Sequence, residues 1–125
     1  MNPKHIPDEF LVEYGPILHL GEGFNIKLKE ETLFYRPGTY HIHEEQIRPT
    51  DSHWKDFWRE VEDLGLWDWD REYQLCCWDG TGWKVKISYN EREIESMGQN
   101  HYPDTFLEFM ESLEDLISRE LKLDI

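Results

Sequence analysis

Tryptophan and aspartate alternate in one short stretch of this sequence. Trp67 and Trp69 alternate with Asp68 and Asp70, and Trp78 stands beside a cluster of turn-forming residues. An indole ring next to a carboxylate can hold a cation or a sugar, or form a hot spot at a protein interface. We expect these five residues to be the ligand-binding or partner-binding candidates. Core packing of the rings is the interpretation that the residue type itself favours, because tryptophan is mostly buried on average.

A second group with possible chemistry is the histidine pair His41 and His43. In a strand both imidazoles would point to the same face, a spacing that can chelate zinc or copper. A structural zinc site has four ligands, so His53 or His19 would have to complete it. We regard the pair as a weak metal candidate, favour an exposed polar edge, and predict no cofactor.

Two further motifs resemble catalytic ones only in part. The Asp79-Gly80-Thr81-Gly82 stretch lacks the second acid that loops of phosphoryl-transfer enzymes place two residues after a nucleophilic aspartate, so it predicts a hairpin turn. Cys76 and Cys77 are adjacent in a predicted strand, where a disulfide between them would be strained and no neighbour activates a thiol. We therefore predict no catalytic residues.

Composition narrows the classes of partner. The chain has 125 residues, 27 acidic and 13 basic side chains and a formal net charge of −14. This charge argues against binding nucleic-acid phosphates, which needs clustered lysine and arginine, and favours a basic partner. Six tryptophans and an aromatic fraction of 14% indicate a folded chain. We find no signal peptide and no apolar run near the roughly 18 residues of a membrane span, and expect a cytoplasmic protein with no membrane partner.

The elements that must position these residues are clearest in the C-terminal half. Trp83, Val85, Ile87 and Tyr89 alternate with polar residues, which predicts a half-buried strand. A two-residue loop at Asn90-Glu91 then pairs Ile87 with Ile94, Lys86 with Glu95 and Ser88 with Glu93. The apolar run from Tyr73 to Trp78 predicts a preceding antiparallel strand, so that the three strands form a meander.

Helical periodicity appears twice. A helix entered at Arg48-Pro49-Thr50-Asp51-Ser52 and ended by Gly65 buries Trp54, Phe57, Trp58, Val61 and Leu64. A second helix, starting at Tyr102-Pro103, has an apolar stripe of Phe106, Phe109, Met110, Leu113, Leu116, Ile117 and Leu121. Its acidic side chains, Glu108, Glu111, Glu114 and Asp115, should face water.

The N-terminal part predicts more strands. Phe10 to Tyr14 is a candidate short strand, and Tyr40 to His43 another. Between them a turn at Glu30-Glu31 pairs Leu28 with Leu33 and Ile26 with Tyr35. We predict one α+β domain over residues 1–125, with residues 1–8 a loosely attached leader. An antiparallel sheet of about five to six strands, combining the N-terminal hairpin with the C-terminal meander, carries both helices on one face.

The C-terminal half also resembles a family of small bacterial proteins. The residues that carry the resemblance are Trp67, Trp69, Tyr73, Asp79-Gly80-Thr81, Trp83, Ile87, Tyr89-Asn90, Ser96, Gly98, Asn100, Tyr102-Pro103, Phe106 and Phe109. The family is uncharacterised and includes products of mobile integron gene cassettes. The resemblance implies an α+β domain that self-associates, for which we expect a homodimer, and it implies no catalytic residue.

These observations favour a non-enzymatic binding protein whose acidic, aromatic-rich surface engages a protein or a small cationic ligand. One alternative is an immunity-like or anti-nuclease inhibitor that imitates the charge of a nucleic acid. Another is a small enzyme that uses histidine or aspartate as an acid or base.

Overall fold

The structure is a computed structural model that describes residues 5–16, 23–38, 44–73, 80–121 and 123. Over these ranges the chain forms seven strands, two α-helices and one short 3-10 turn. In chain order they are β1 (Glu9–Pro16), β2 (Phe24–Lys29), β3 (Thr32–Pro37), β4 (Glu45–Ile47), α1 (Asp51–Leu64), the 3-10 turn (Leu66–Asp68), β5 (Glu72–Tyr73), β6 (Thr81–Tyr89), β7 (Arg92–Gln99) and α2 (Phe106–Ile117). The predicted α+β class is confirmed.

All seven strands belong to one sheet, in the order β4-β3-β2-β1-β6-β7-β5. Every neighbouring pair is antiparallel except β5 and β7, which run parallel. The sheet is therefore one strand larger than the upper limit predicted from the sequence.

Both predicted hairpin registers are confirmed. Ile87 lies opposite Ile94 in the β6–β7 pair, and Leu28 lies opposite Leu33 in the β2–β3 pair. Each loop has two central residues with positive φ, namely Glu30 and Glu31 at 50° and 70°, and Asn90 and Glu91 at 51° and 66°. Such turns match the right-handed twist of the strands, and a slip by one residue would bury charged side chains.

The predicted C-terminal meander is wrong in its first strand. β1 occupies the edge of β6 where the meander needed Tyr73 to Trp78, and it pairs with β6 along its whole length, with Val12 opposite Val85. β5 is described only over Glu72–Tyr73 and pairs with β7 in parallel. Residues 74–79 lie outside the described ranges. Neighbours in sequence usually pair, but here an apolar, alternating β1 takes the central place instead.

The first helix begins and ends as its sequence indicates. The Thr50 hydroxyl accepts a hydrogen bond from the backbone N–H of His53 at 3.1 Å, which caps α1. Gly65 ends the helix in the left-handed conformation at a φ of 80°. The predicted apolar face is buried at Trp54, Phe57, Trp58 and Val61, and Leu64 is half-buried.

The second helix begins at Phe106 rather than at Tyr102-Pro103. Asp104 and Thr105 form a turn, and the Phe106 N–H donates to the carbonyl of Pro103 at 3.0 Å. All seven residues of the predicted apolar stripe are buried, but Leu121 lies beyond the end of α2 at Ile117. Ser118 ends α2 in the left-handed conformation at a φ of 57°.

Both helices cover the same face of the sheet, as predicted. The Phe10 ring meets Trp54 edge-on at 5.7 Å between centroids, which joins β1 to α1, while Trp83 lies 5.0 Å from Phe106 and joins β6 to α2. The Phe57 and Phe109 rings, 6.1 Å apart, connect the two helices. Strand alternation then places polar side chains on the opposite face, among them Glu13, Asn25, Lys84, Lys86 and Glu95.

Residues 5–8 of the predicted leader contact the rest of the fold. The carbonyl of His5 accepts a hydrogen bond from the Trp58 indole at 2.7 Å, and His5 Nδ1 lies 3.0 Å from the Tyr89 hydroxyl. The backbone N–H of Asp8 donates to the carbonyl of Ser88 at 2.8 Å. Within the described ranges no helix is both long and apolar enough to cross a lipid bilayer.

Candidate functional site

Trp69, one of the five candidates from the sequence, lies in the core. Its side chain is 9% exposed and its indole N–H donates to the Thr105 hydroxyl at 3.1 Å. The ring packs edge-on against Trp83 and Phe109, at 6.0 Å and 5.3 Å between centroids. Trp69 thus has the core packing that the sequence left open for it, because it follows the 3-10 turn and points between the sheet and α2.

Trp67 is half-buried and already has a cationic neighbour from its own chain. Its ring stacks on Trp58 at 6.3 Å, and the Arg92 guanidinium carbon lies 5.8 Å from the Trp67 ring centroid. Arg92 also forms an ion pair with Glu62 at 2.6 Å. The aromatic surface that a foreign cation would use is thus covered by Arg92.

Asp68 and Asp70 are exposed, and the backbone of Asp70 is held by the sheet. The Asp70 N–H donates to the Tyr73 hydroxyl at 2.9 Å, and its carbonyl accepts from the Ser96 hydroxyl at 2.5 Å. Trp78, His41 and His43 lie outside the described residues, as do His19, Cys76 and Cys77. Of the predicted aromatic and acidic site, the structure thus places Trp69 in the core and Asp68 and Asp70 at the surface.

The structure instead brings acidic side chains together between the two helices. A groove with a cavity volume of about 520 Å³ separates the C-terminal half of α1 from α2. We call it the interhelical groove, and its lining residues are Glu60, Asp63, Leu64, Thr105, Glu108, Glu111, Ser112 and Asp115.

Helical spacing places the carboxylates of the interhelical groove beside one another. Glu60 and Asp63 are three residues apart on α1, as are Glu108 and Glu111 on α2, and Asp115 follows Glu111 by four. Residues three and four apart are neighbours on a helix surface, and like charges at such spacings destabilise the helix by about 0.2–0.5 kcal/mol per pair. The groove therefore concentrates negative charge at a cost to helix stability.

None of these five carboxylates forms an ion pair with any residue that the structure describes. Carboxylates elsewhere do, since Glu45 pairs with Arg119 at 2.6 Å and Asp56 with Arg59 at 2.9 Å. Neither helix has a basic residue in its last turn, where Asp63 and Asp115 add to the partial negative charge of the helix end. The end of α2 has a cation from its own chain, because the Arg119 guanidinium donates to the carbonyls of Ile117 and Ser118 at 3.4 Å and 2.9 Å, although Arg119 forms its ion pair with Glu45 and not with Asp115.

The groove also has apolar and hydroxyl-bearing lining residues. Within the described ranges no three side chains of histidine, cysteine, aspartate or glutamate are close enough to ligate one metal ion. Leu64 adds an apolar wall, and Thr105 and Ser112 carry hydroxyl groups. An apolar wall beside carboxylates suits lysine and arginine side chains, which bury a hydrocarbon stem and keep a charged head near an anion.

The sequence indicated which acidic residues are exposed, but not that those of α1 and α2 line one groove. Periodicity placed Glu108, Glu111 and Asp115 on the wet side of α2, which is correct, and the same rule applies to Glu60 and Asp63 on α1. Which acidic faces adjoin depends on how the helices pack, and that depends on contacts such as Phe57 with Phe109. The one available signal was a run of acids at spacings of three and four without an intervening lysine or arginine.

No protein-family model matches the chain, and no curated protein matches it.

Proposed function

We propose that this protein is a non-enzymatic binding protein whose interhelical groove receives a basic segment of a partner protein. The observation that carries the proposal is the set of five carboxylates that line one groove, none of which forms an ion pair with a described residue.

The charge of the groove supports both attraction and specificity. Two unit charges 4 Å apart interact by about 4 kcal/mol at the effective dielectric constant of a protein surface, against about 1 kcal/mol in bulk water. A net charge of −14 extends the field beyond the groove and steers a basic partner toward it. Such steering mainly raises the association rate and discriminates against acidic partners.

An apolar neighbour favours a protein segment over a small cation. Leu107 is 49% exposed and is the one large hydrophobic side chain with high exposure among the residues described. It lies on α2 beside Glu108 and one turn before Glu111. A partner that covers Leu107 while it pairs with the carboxylates would combine an apolar contact with a charged rim, as protein interfaces commonly do.

An inhibitor of a nuclease toxin is a specific form of this proposal, since the basic surface that binds nucleic acid would also fit the groove. Exposed Asp68 and Asp70 extend the acidic surface. A small enzyme is the third alternative, with His41, His43 or an aspartate of the Trp67 to Asp70 segment as its acid or base. A homodimer, a cytoplasmic location and membership of the integron-cassette family are also proposals, and all three rest on the sequence alone.

The proposal is tested by mapping where cations bind. The backbone amides of the 15N-labelled chain are titrated with a lysine-rich peptide and, separately, with spermine. We expect the peptide to shift the signals of Glu60, Asp63, Leu107, Glu111 and Asp115. Peptide-induced shifts elsewhere, or none, would overturn the proposal, and tighter binding of spermine than of the peptide would replace the protein partner by a small cation.

A further inference from the structure

A second depression lies on the opposite face of the sheet, away from both helices. It has a cavity volume of about 350 Å³, within the range of small-molecule sites. The side chains and backbone that line it include Glu13 and Gly15 of β1, Asn25 of β2, Gly82 and Lys84 of β6, and Met97 of β7. It is thus formed across four adjacent strands, β2, β1, β6 and β7.

Two facing glycines form part of this depression. Gly15 and Gly82 are cross-strand partners in the two central strands of the sheet, and both are half-buried. Glycine weakens the interior of a strand, and it commonly marks a position where a ligand or another backbone approaches closely. A facing pair in adjacent central strands leaves the sheet surface without side chains at that point.

Opposite charges lie next to this glycine pair without forming an ion pair. Glu13 and Lys84 are cross-strand partners, so their Cβ atoms are within about 5.5 Å. The Glu13 carboxylate instead accepts a hydrogen bond from the Asn25 amide at 2.9 Å, on the side away from β6. Lys84 is half-buried and forms no ion pair with a described residue, although Lys86, two residues along, pairs with Glu9 and Glu95.

We propose that this depression binds a small zwitterion, namely an α-amino acid with an apolar side chain. Its ammonium group lies at the Glu13 carboxylate, which Asn25 orients, and its carboxylate lies at the Lys84 ammonium. The flexible side chain of Met97, the cross-strand partner of Lys84, contacts the apolar part of the ligand. A simple anion fits less well because Glu13 would repel it, and a simple cation less well because Lys84 would. The site is separate from the interhelical groove and does not depend on the function proposed for it.

L-leucine and its two singly charged analogues, N-acetyl-L-leucine and L-leucinamide, test the proposal on the complete 15N-labelled chain. We expect L-leucine to shift the amide signals of Gly15, Gly82, Lys84 and Met97, and to bind at least about tenfold more tightly than either analogue, because each analogue loses one charged contact. Absence of any shift up to about 10 mM L-leucine, a weak limit for specific binding, would overturn the proposal. Equal binding of all three compounds would overturn it as well.

A matched pair of variants locates the site. Lys84→Met should weaken L-leucine binding about tenfold or more. Lys27 is an exposed residue of β2 on the same face of the sheet as Lys84, and Lys27→Met should change L-leucine binding by less than about twofold. Equal effects of the two variants would contradict the assignment. The comparison of leucine with its analogues needs no variant, so it decides the proposal even if Lys84→Met fails to fold.

Discussion

Asp63 in the last turn of α1 and Asp115 in the last turn of α2 line the same groove, and each stands at the end of its helix that disfavours an anion. Stability alone would favour lysine or arginine at such positions. A chain that keeps carboxylates there gives up folding free energy and gains a surface that attracts cations, a trade-off typical of binding sites.

The first prediction concerns that cost. Asp63→Asn and Asp115→Asn should each raise the free energy of unfolding by about 0.3–1 kcal/mol at low salt, because each removes an anion from a helix C-terminus and from a group of like charges. The gain should shrink in high salt, which screens exposed charges. Urea unfolding at two salt concentrations measures both effects.

Asp51 provides a control of opposite sign. It lies in the first turn of α1, where an anion is favourable, and its carboxylate is 3.9 Å from His5. Asp51→Asn should therefore lower the free energy of unfolding. If Asp115→Asn also lowered it, the groove carboxylates would have stabilising partners and the account of their cost would be wrong.

The second prediction concerns the β6–β7 hairpin. Glu91 has a φ of 66°, in the left-handed region that strains a residue with a Cβ atom. Glu91→Gly produces the Asn-Gly pair that two-residue loops of this kind prefer, and should raise the free energy of unfolding by about 0.5–1 kcal/mol. Glu93→Gly, inside β7, should instead lower it, because glycine weakens a strand. Destabilisation by both variants would refute the inferred strain.

The third prediction compares two buried tryptophans. Trp54 is 1% exposed and its indole nitrogen has no hydrogen-bond partner among the described residues, whereas the Trp83 indole donates to the carbonyl of His101 at 2.7 Å. Replacement by phenylalanine removes ring volume in both cases, but only Trp83→Phe removes a hydrogen bond. Trp83→Phe should cost about 1 kcal/mol more in urea unfolding than Trp54→Phe. A larger loss for Trp54→Phe would show that its indole N–H has a stabilising partner.

The fourth prediction is a loss of stability at alkaline pH. Burial raises the pKa of Tyr35, the Glu45 carboxylate raises it further, and Arg119 opposes the rise. Above about pH 10 the unfolded chain loses the phenol proton while the folded chain keeps it, so the free energy of unfolding falls as pH increases. Between about pH 9.5 and 11, the free energy of unfolding of the Tyr35→Phe variant should fall less steeply with pH than that of the natural chain. Parallel curves would show that the Tyr35 phenol ionises alike in both states. Burial and the Asp51 carboxylate also raise the pKa of Tyr89, so Tyr89 lowers the free energy of unfolding at alkaline pH as well. The Tyr35→Phe variant should therefore still lose some stability as pH increases.

Local patterns predicted local structure well in this chain. The Asn90-Glu91 loop, the pairing of Ile87 with Ile94, and the Gly65 end of α1 depend on residues close in sequence, and all are confirmed. The position of β1 beside β6 depends on contacts between residues about seventy apart, such as Val12 with Val85, and no local pattern indicated it. The predicted meander was therefore wrong although the β6–β7 hairpin within it was right.

For the candidate site too, local patterns were predicted correctly and long-range packing was not. Alternation of Trp67 and Trp69 with aspartates suggested an exposed site, but the 3-10 turn before Trp69 directs that ring into the core and Arg92 covers Trp67. The acidic residues of α2 were correctly placed on its wet side. Whether they line the same groove as Glu60 and Asp63 depends on how the two helices pack, and helical periodicity alone does not specify this packing.

The central claim is that the interhelical groove, rather than net charge, binds a basic partner. The most direct measurement is the affinity for a fluorescently labelled lysine-rich peptide, by anisotropy, of two variants with equal net charge. One carries Glu108→Gln, Glu111→Gln and Asp115→Asn in the groove. The other carries Glu30→Gln, Glu93→Gln and Glu120→Gln at exposed positions outside it.

We predict that the groove variant binds the peptide at least about tenfold more weakly than the natural chain, while the control variant differs by less than about threefold, since isolated surface charges contribute little. Circular dichroism of both variants confirms that they are folded. Equal weakening of the two variants would show that binding follows total charge, and would contradict the assignment of the groove as the binding site.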